Sequence, residues 1–158
     1  MRDLTHLSEA INGVCISKAS WKDLNQVWEL EKKCFSKQDA WPYLDLLAAL
    51  SFPGLVRYKA CDGQNLVGFV GAEVKEGLGW ITTIEVDPAY CGKGIGRALL
   101  GQAEAALQKE QVRLITRQSN LHAIHLYEGA GYQAIGVWPA YYVGGEDGLV
   151  FEKSLYLP

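Results

Sequence analysis

Nowhere does the sequence hold about 18 consecutive apolar residues without a charge, the length that a membrane-spanning helix requires, so no membrane partner is expected. The first residues, MRDLTHLSEAING, lack the apolar centre of a secretory leader. Excess positive charge is missing too. Fifteen Lys and Arg face 18 Asp and Glu, a net charge of −3, which argues against sequence-independent binding to nucleic acid. Cysteine is sparse, and Cys15, Cys34, Cys61 and Cys91 show no paired spacing. That excludes both a zinc cluster and a disulfide framework, so no metal site is expected and a reduced, cytoplasmic setting is the simplest reading. There is no internal repeat, low-complexity tract or linker.

What remains is 158 residues with 49% hydrophobic and 21% charged content, the make-up of one globular domain with a sizeable core. Residues 1–12 are polar and read as a loose N-terminal arm. Val14–Lys18 reads as a strand. Ser20 caps a helix over Trp21–Lys33, in which Trp21, Leu24, Val27, Trp28 and Glu31 recur at helical spacing. A second helix covers Pro42–Leu50, with Pro42 in its first turn. Strands Leu55–Cys61 and Leu66–Val74 join through Asp62-Gly63, a hairpin signal. Gly77–Gly79 turns into the strand Trp80–Val86. A helix over Arg97–Lys109 lines up Leu100, Ala103 and Leu107. Val112–Thr116, the helix Asn120–Gly129 closed by Gly131, and strands near Tyr132–Trp138 and Leu149–Leu155 complete a mixed α/β order of about seven strands and four helices.

The most telling stretch is Ile81–Leu100, ITTIEVDPAYCGKGIGRALL. A β-branched run ends at Asp87-Pro88, glycines follow at positions 92, 94 and 96, and a helical pattern begins. Without a Cβ, such a loop turns tightly and brings its backbone close to a ligand. The helix that follows adds unpaired N–H groups and the positive end of its dipole, so phosphate oxygens suit it. Spacing excludes two nucleotide readings. Arg97 stands where the dinucleotide fingerprint needs its third glycine, and the only Gly-Lys pair, Gly92-Lys93, is followed by glycine rather than Ser or Thr. Lys93, Arg97, Arg113 and Arg117 form a possible local basic patch beside the loop.

A second segment, Leu114–Tyr132, LITRQSNLHAIHLYEGAGY, reads as a strand followed by a helix capped by Asn120. Together the two segments resemble the GNAT superfamily of N-acetyltransferases. Its Arg/Gln-x-x-Gly-x-Gly/Ala loop is matched by Cys91-Gly92-Lys93-Gly94-Ile95-Gly96, with Cys91 in place of the polar residue. Its second pattern is matched by Asn120, Ala123, Leu126, Tyr127, Gly131 and Tyr132. The close resemblance covers residues 80–132; the segment after Trp138 is most similar to the ribosomal-protein-alanine N-acetyltransferases.

The resemblance implies the GNAT fold, a mixed sheet splayed between its fourth and fifth strands, with acetyl-CoA as cosubstrate. It implies that backbone N–H groups from Gly92 to Arg97 hold the diphosphate, with Lys93 and Arg97 adding charge. It also implies that the pantetheine arm pairs with the strand edge at Ile84, Glu85 and Val86. Cys91 loses one polar contact there; it has no His or Asp partner in sequence that would make it a nucleophile. Asn120 serves as helix cap and as a contact near pantetheine. Tyr127 is implied to protonate the departing thiolate or hydrogen-bond to it. The usual base position, five residues before the asparagine, is Ile115, which takes no proton. Glu85 is the leading substitute, directly or through water, against the plainer reading of an exposed strand carboxylate. His122 and His125 are weaker candidates, aimed away from the tyrosine's helix face.

The acceptor is expected between the Phe35–Tyr43 connection and the segment after Trp138. Trp41, Tyr43, Tyr141 and Tyr142 are the candidate acceptor contacts, and Glu146 or Asp147 would attract an ammonium; core and hairpin roles stand beside these. An α-amine has a pKa near 7.7–8.0 against about 10.4 for lysine, so it needs only a weak base. A protein or peptide N-terminus is the first-choice acceptor and a small-molecule amine the second. A CoA-binding or sensing module without turnover is the reading from another class. Either a monomer or a homodimer fits.

Overall fold

A computed structural model of the protein describes residues 11–155. Most of the expected N-terminal arm lies outside the described residues; of its last two, Ile11 bridges to Val14 and Asn12 donates to the Lys93 carbonyl at 3.3 Å. Seven strands form one sheet: β1 (Val14–Lys18), β2 (Val56–Asp62), β3 (Asn65–Lys75), β4 (Leu78–Val86), β5 (Gln111–Arg117), β6 (Gln133–Trp138) and β7 (Gly148–Ser154). Their order is β1-β2-β3-β4-β5-β7-β6, and every neighbouring pair is antiparallel except β4–β5. Four helices complete the fold: α1 (Leu24–Cys34), α2 (Tyr43–Ser51), α3 (Ile95–Leu107) and α4 (Leu121–Gly129).

Burial divides the core in two. On one face of the sheet α3 and α4 pack Leu99, Leu100, Ala103, Leu107 and Tyr127 over Val67, Val70 and Val112. On the other face α1 and α2 pack Val27, Leu30, Leu46 and Leu50 over Leu66 and Phe69. The unbroken run LVGFVGA in β3 follows from that sandwich, because a strand covered on both faces needs no polar alternation.

Several boundaries differ from the sequence-based expectation, each for a local reason. Ser20 caps a 3-10 turn at Trp21–Asp23 through a reciprocal box with Asp23, and α1 proper starts at Leu24. The buried stripe of α1 is Leu24, Val27, Leu30 and Glu31, while Trp21 is 61% exposed. Pro42 stands before the first turn of α2 rather than in it. The turn into β4 lies at Glu76–Gly77, and Gly79 belongs to the strand. A Cβ at Gly79 would meet Leu107 Cδ1 at 3.0 Å and Val112 Cγ2 at 3.1 Å, so this glycine serves close packing.

Two irregularities of β4 build the site. Gly71 pairs with Thr83 and Ala72 with Ile81, which leaves Thr82 without a partner as a bulge. The bulge changes the side-chain alternation, so Ile81 and Ile84, three apart, both pack on the α3 layer, and Glu85 turns to the α1 layer. Parallel pairing of β4 with β5 extends over only two registers, Gly79–Val112 and Trp80–Arg113. Beyond them the strands separate.

Candidate functional site

The loop after β4 is shaped by its own backbone. Asp87 Oδ1 accepts from the Ala89 N–H at 3.0 Å and Asp87 Oδ2 takes a 2.9 Å ion pair from Lys33. Then Gly92 and Gly94 adopt φ of +77° and +82°, a region where other residues are strained. A Cβ at either would meet nothing within 4 Å, so the loop is open to an approaching group. Gly94 starts α3 without a side-chain cap, leaving first-turn N–H groups free for an anion. Gly96 differs from the expectation for the three glycines: its Cβ would strike Leu126 Cδ2 at 3.1 Å, so it lets α3 pack on α4.

The basic patch is smaller than the sequence suggests. Arg113 is paired with Glu152 at 2.6 Å and Arg117 with Asp39 and Glu146, both away from the loop. Lys93 and Arg97 remain, exposed and without an ion pair among the described residues, Lys93 lying 4.9 Å over the Tyr90 ring.

Three cavities run from this loop through the gap between β4 and β5. The first, about 400 Å³, lies between Ile84, Glu85, Val86 and Cys91 on one side and Asn120 and Tyr127 on the other. It shares Ile84, Asn120 and Tyr127 with a cleft of about 460 Å³ walled by Glu31, Thr83, Ile115 and Tyr142. Trp41, Ile115 and Tyr142 are in turn shared with a cavity of about 600 Å³ that adds Glu73, Trp80, Trp138 and Tyr141. Stacked rings line this end, with Trp80–Trp138, Trp138–Tyr141 and Tyr141–Tyr142 centroids 6.3, 5.5 and 5.0 Å apart.

Tyr127 stands where the first two cavities meet. Asn120 fixes its helix by accepting from the Ala123 N–H at 3.1 Å. The ring packs against Tyr132 and Phe151, each 6.1 Å away. Burial, with Tyr142 nearby, pushes the phenol pKa up, so it stays a neutral donor.

Glu85 is not the exposed strand carboxylate of the plainer reading. It is 3% exposed, and neither oxygen has a hydrogen-bond partner among the described residues. Its carboxyl is within hydrogen-bonding reach of Glu31, which lies on α1 and is fully buried. Desolvation first, then Glu31, raises the Glu85 pKa well above the carboxylate range. Glu31 was not singled out from sequence, although a carboxylate on the buried stripe of α1 is the signal that marks it.

The remaining candidates separate. Trp41, Tyr141 and Tyr142 line the aromatic end. Tyr43 does not: its hydroxyl donates to Asn25 Oδ1 at 3.0 Å, its ring packs on Trp28, and it lines none of the three cavities. Glu146 is committed to Arg117 and to the Ser119 N–H, both at 2.7 Å, and Asp147 accepts from the Ala140 N–H. Glu146 is thus neutralised by Arg117, while the bond on Asp147 is a single one to backbone. Cys91 is exposed and lies 3.7 and 3.8 Å from the carbonyls of Asp87 and Val86. His122 borders the loop-side cavity, whereas His125 lines none of the three. Ile115 offers only an apolar wall, and no cluster of metal ligands occurs among the described residues.

Residues 24–132 match the acetyltransferase (GNAT) family. The N-alpha-acetyltransferase RimI of Mycobacterium tuberculosis is 33% identical over 149 residues, covering 89% of this chain and 92% of that protein. Among solved structures, the Escherichia coli ribosomal-protein-S18-alanine N-acetyltransferase superposes with a TM-score of 0.79 at 23% identity, over 92% of this chain and 96% of that one. Arabidopsis thaliana NAA60 in complex with acetyl-CoA gives 0.79 at 18% identity, over 90% and 98%.

Proposed function

The chain belongs to the acetyltransferase (GNAT) family, and from that premise we propose that it moves the acetyl group of acetyl-CoA directly to a protein or peptide N-terminal α-amine. One observation carries the reading: Tyr127 stands at the meeting point of a cavity leading to the glycine loop and a cleft leading to the aromatic end. The two substrates thus have separate entrances and one shared midpoint.

The residues fit the cosubstrate. The open backbone at Gly92 and Gly94 and the uncapped first turn of α3 suit a diphosphate, with Lys93 and Arg97 beside it. The unpaired edge of β4 at Ile84 and Val86 suits the amides of a pantetheine arm, and Asn120 stands opposite. Cys91 leaves those backbone contacts intact. Acetyl-CoA supplies the activated acyl thioester; the protein supplies placement and proton handling.

Tyr127 donates its proton, or a strengthening hydrogen bond, to the leaving sulfur. A phenol held neutral by burial is suited to donate rather than to take a proton. The base candidate is the buried carboxyl pair that Glu85 on β4 forms with Glu31 on α1. Trp41, Tyr141 and Tyr142 form the acceptor's wall, an open aromatic surface better matched to a peptide end than to a lone small amine. The relatives named for N-terminal acetylation support the same choice. The activity belongs to a single domain in a reduced, cytoplasmic setting, consistent with four free thiols.

Calorimetric titration with acetyl-CoA, with NADH and ATP as controls, tests the first half of the reading. Mass screening of peptides tests the second. Acetylation of peptides with a free α-amine, and none of Nα-blocked lysine peptides, is the expected result. Transfer confined to small amines would overturn the acceptor assignment.

A further inference from the structure

Among the described residues, three carboxyl oxygens are both buried and without a partner: Glu31 Oε2, Glu85 Oε1 and Glu85 Oε2. The fourth, Glu31 Oε1, accepts from the Trp41 N–H at 2.9 Å. An orphaned buried acceptor costs about 1–3 kcal/mol, and more when charged. Two facing carboxylates would also repel each other. One proton between them removes the repulsion and supplies a donor, as in other carboxyl pairs that cannot both ionise. Burial and the Glu31 charge place that proton on Glu85; Glu31 is itself raised, chiefly by burial. Of the two, Glu31 lines the cleft that joins Tyr127 to Trp41 and Tyr142 on the acceptor side, while Glu85 lines the cavity that joins Tyr127 to the glycine loop.

We propose that Glu31, backed by Glu85, is the group that receives the proton an incoming ammonium must lose before its nitrogen can attack. The inference rests on the cleft being the acyl-transfer site, and it answers the lack of a base at Ile115. The acceptor arrives as R–NH₃⁺. One N–H bond breaks, its electron pair stays on nitrogen, and the proton passes through one water of the cleft to Glu31 Oε2, which is itself buried. The pair thereby passes from one shared proton and a charge of −1 to two protons and neutrality. The free amine forms its bond to the acetyl carbon while the carbon–sulfur bond breaks. Tyr127 gives its proton to sulfur and regains the second nitrogen proton. After product leaves, the pair returns its extra proton to water.

Other ionisable groups surround the pair from each packed element. Cys34 lies on the same helix, with its thiol pushed up to about 12 by burial. Asp87 and Cys91 come from the loop after β4, and Asp87 is held low by Lys33. Tyr127 faces from α4 and is raised by burial. Tyr142 comes from the segment after β6, pushed up to about 12, with Arg117 and Asp39 beside it. Cys34, Tyr127 and Tyr142 therefore keep their protons, and Asp87 its charge, through the range in which an α-amine titrates.

The test uses the full chain, a peptide acceptor and saturating acetyl-CoA, following kcat and kcat/KM from pH 6 to about 9.5 for wild type, Glu31→Gln and Glu85→Gln. Glu31→Gln is expected to lower kcat about 10²–10³-fold at neutral pH, to bind acetyl-CoA as wild type does, and to recover as pH passes the acceptor's own pKa. Glu85→Gln keeps a donor for Glu31; it should retain more activity and shift the acidic limb of the profile. Infrared spectroscopy supplies a readout without turnover: a protonated-carboxyl band in wild type that is absent in Glu85→Gln. Wild-type kcat in Glu31→Gln, or an equal loss at every pH, would overturn the proton-accepting role. An unchanged carboxyl band would overturn the shared proton. A wild-type enzyme that acetylates no amine at all would instead count against the proposed function, and the infrared result would still judge the pair.

Discussion

Arg117 grips Asp39 through two parallel hydrogen bonds, of 2.6 and 2.5 Å, between residues 78 apart in sequence. The same guanidinium reaches Glu146 at 2.7 Å and stacks 4.4 Å from the Tyr142 ring. It therefore ties the segment between α1 and α2 to the segment between β6 and β7, which form opposite sides of the cleft. Arg117→Ala should raise the acceptor KM roughly tenfold and leave acetyl-CoA affinity unchanged. Lysine cannot restore the planar fork, so Arg117→Lys should behave similarly. Steady-state kinetics with the acceptor varied checks this, and an unaltered KM would remove Arg117 from acceptor placement.

Tyr127→Phe removes one hydroxyl and keeps the ring packing on Tyr132 and Phe151. Turnover should fall about 10²–10⁴-fold with acetyl-CoA binding retained. Calorimetry and single-turnover mass measurement separate the two effects. Parental turnover would exclude the hydroxyl from the chemistry.

Gly94→Ala places a Cβ at a φ of +82°, where strain costs about 1–2 kcal/mol. A lower unfolding midpoint and at least tenfold weaker acetyl-CoA binding are expected, since the loop backbone must shift. Gly101→Ala, in the middle of α3 with nothing within 4 Å of its Cβ, is the matched control: it should keep acetyl-CoA binding and raise the unfolding midpoint.

Stability should depend on pH through two acids of opposite sign. Ser119, through its side chain and then its N–H, and Arg117 between them hold Glu146 down at about 2. Its contribution is complete above the ordinary value of 4.5 and is lost as pH falls toward 2. Glu146→Gln should therefore flatten the acid side of a plot of unfolding midpoint against pH. Glu85 is raised, so the folded state binds its proton more tightly than the unfolded chain does. Its burial costs nothing at low pH, and the cost grows as pH rises above 4.5. Glu85→Gln should gain on wild type from there upward, and parallel curves would contradict the buried, proton-bearing Glu85.

The glycine loop, the Asn120 cap and the order of strands and helices were legible in sequence because local chemistry decides them. The side on which Glu85 lies was not legible, since it depends on the bulge at Thr82, a matter of pairing with β3. Arg117 read as part of a basic patch because its partners, Asp39 and Glu146, are remote in sequence. Tyr43 belonged to the right connection, but the first turn of α2 points it at Trp28 and Asn25. Glu31 carried a signal after all: an acid where the helical period demands burial.

The two registers shared by β4 and β5 also set the mechanics of the molecule. They make the sheet two plates hinged along a short seam, with β1 to β4 on one side and β5, β7 and β6 on the other. No other neighbouring pair among the described strands shares so few registers. A ligand laid along the open part acts as a splint, bracing both plates at once. Amide exchange on the facing edges of β4 and β5 should therefore slow together when the splint is in place, while the already doubled β2–β3 ladder keeps its own rate.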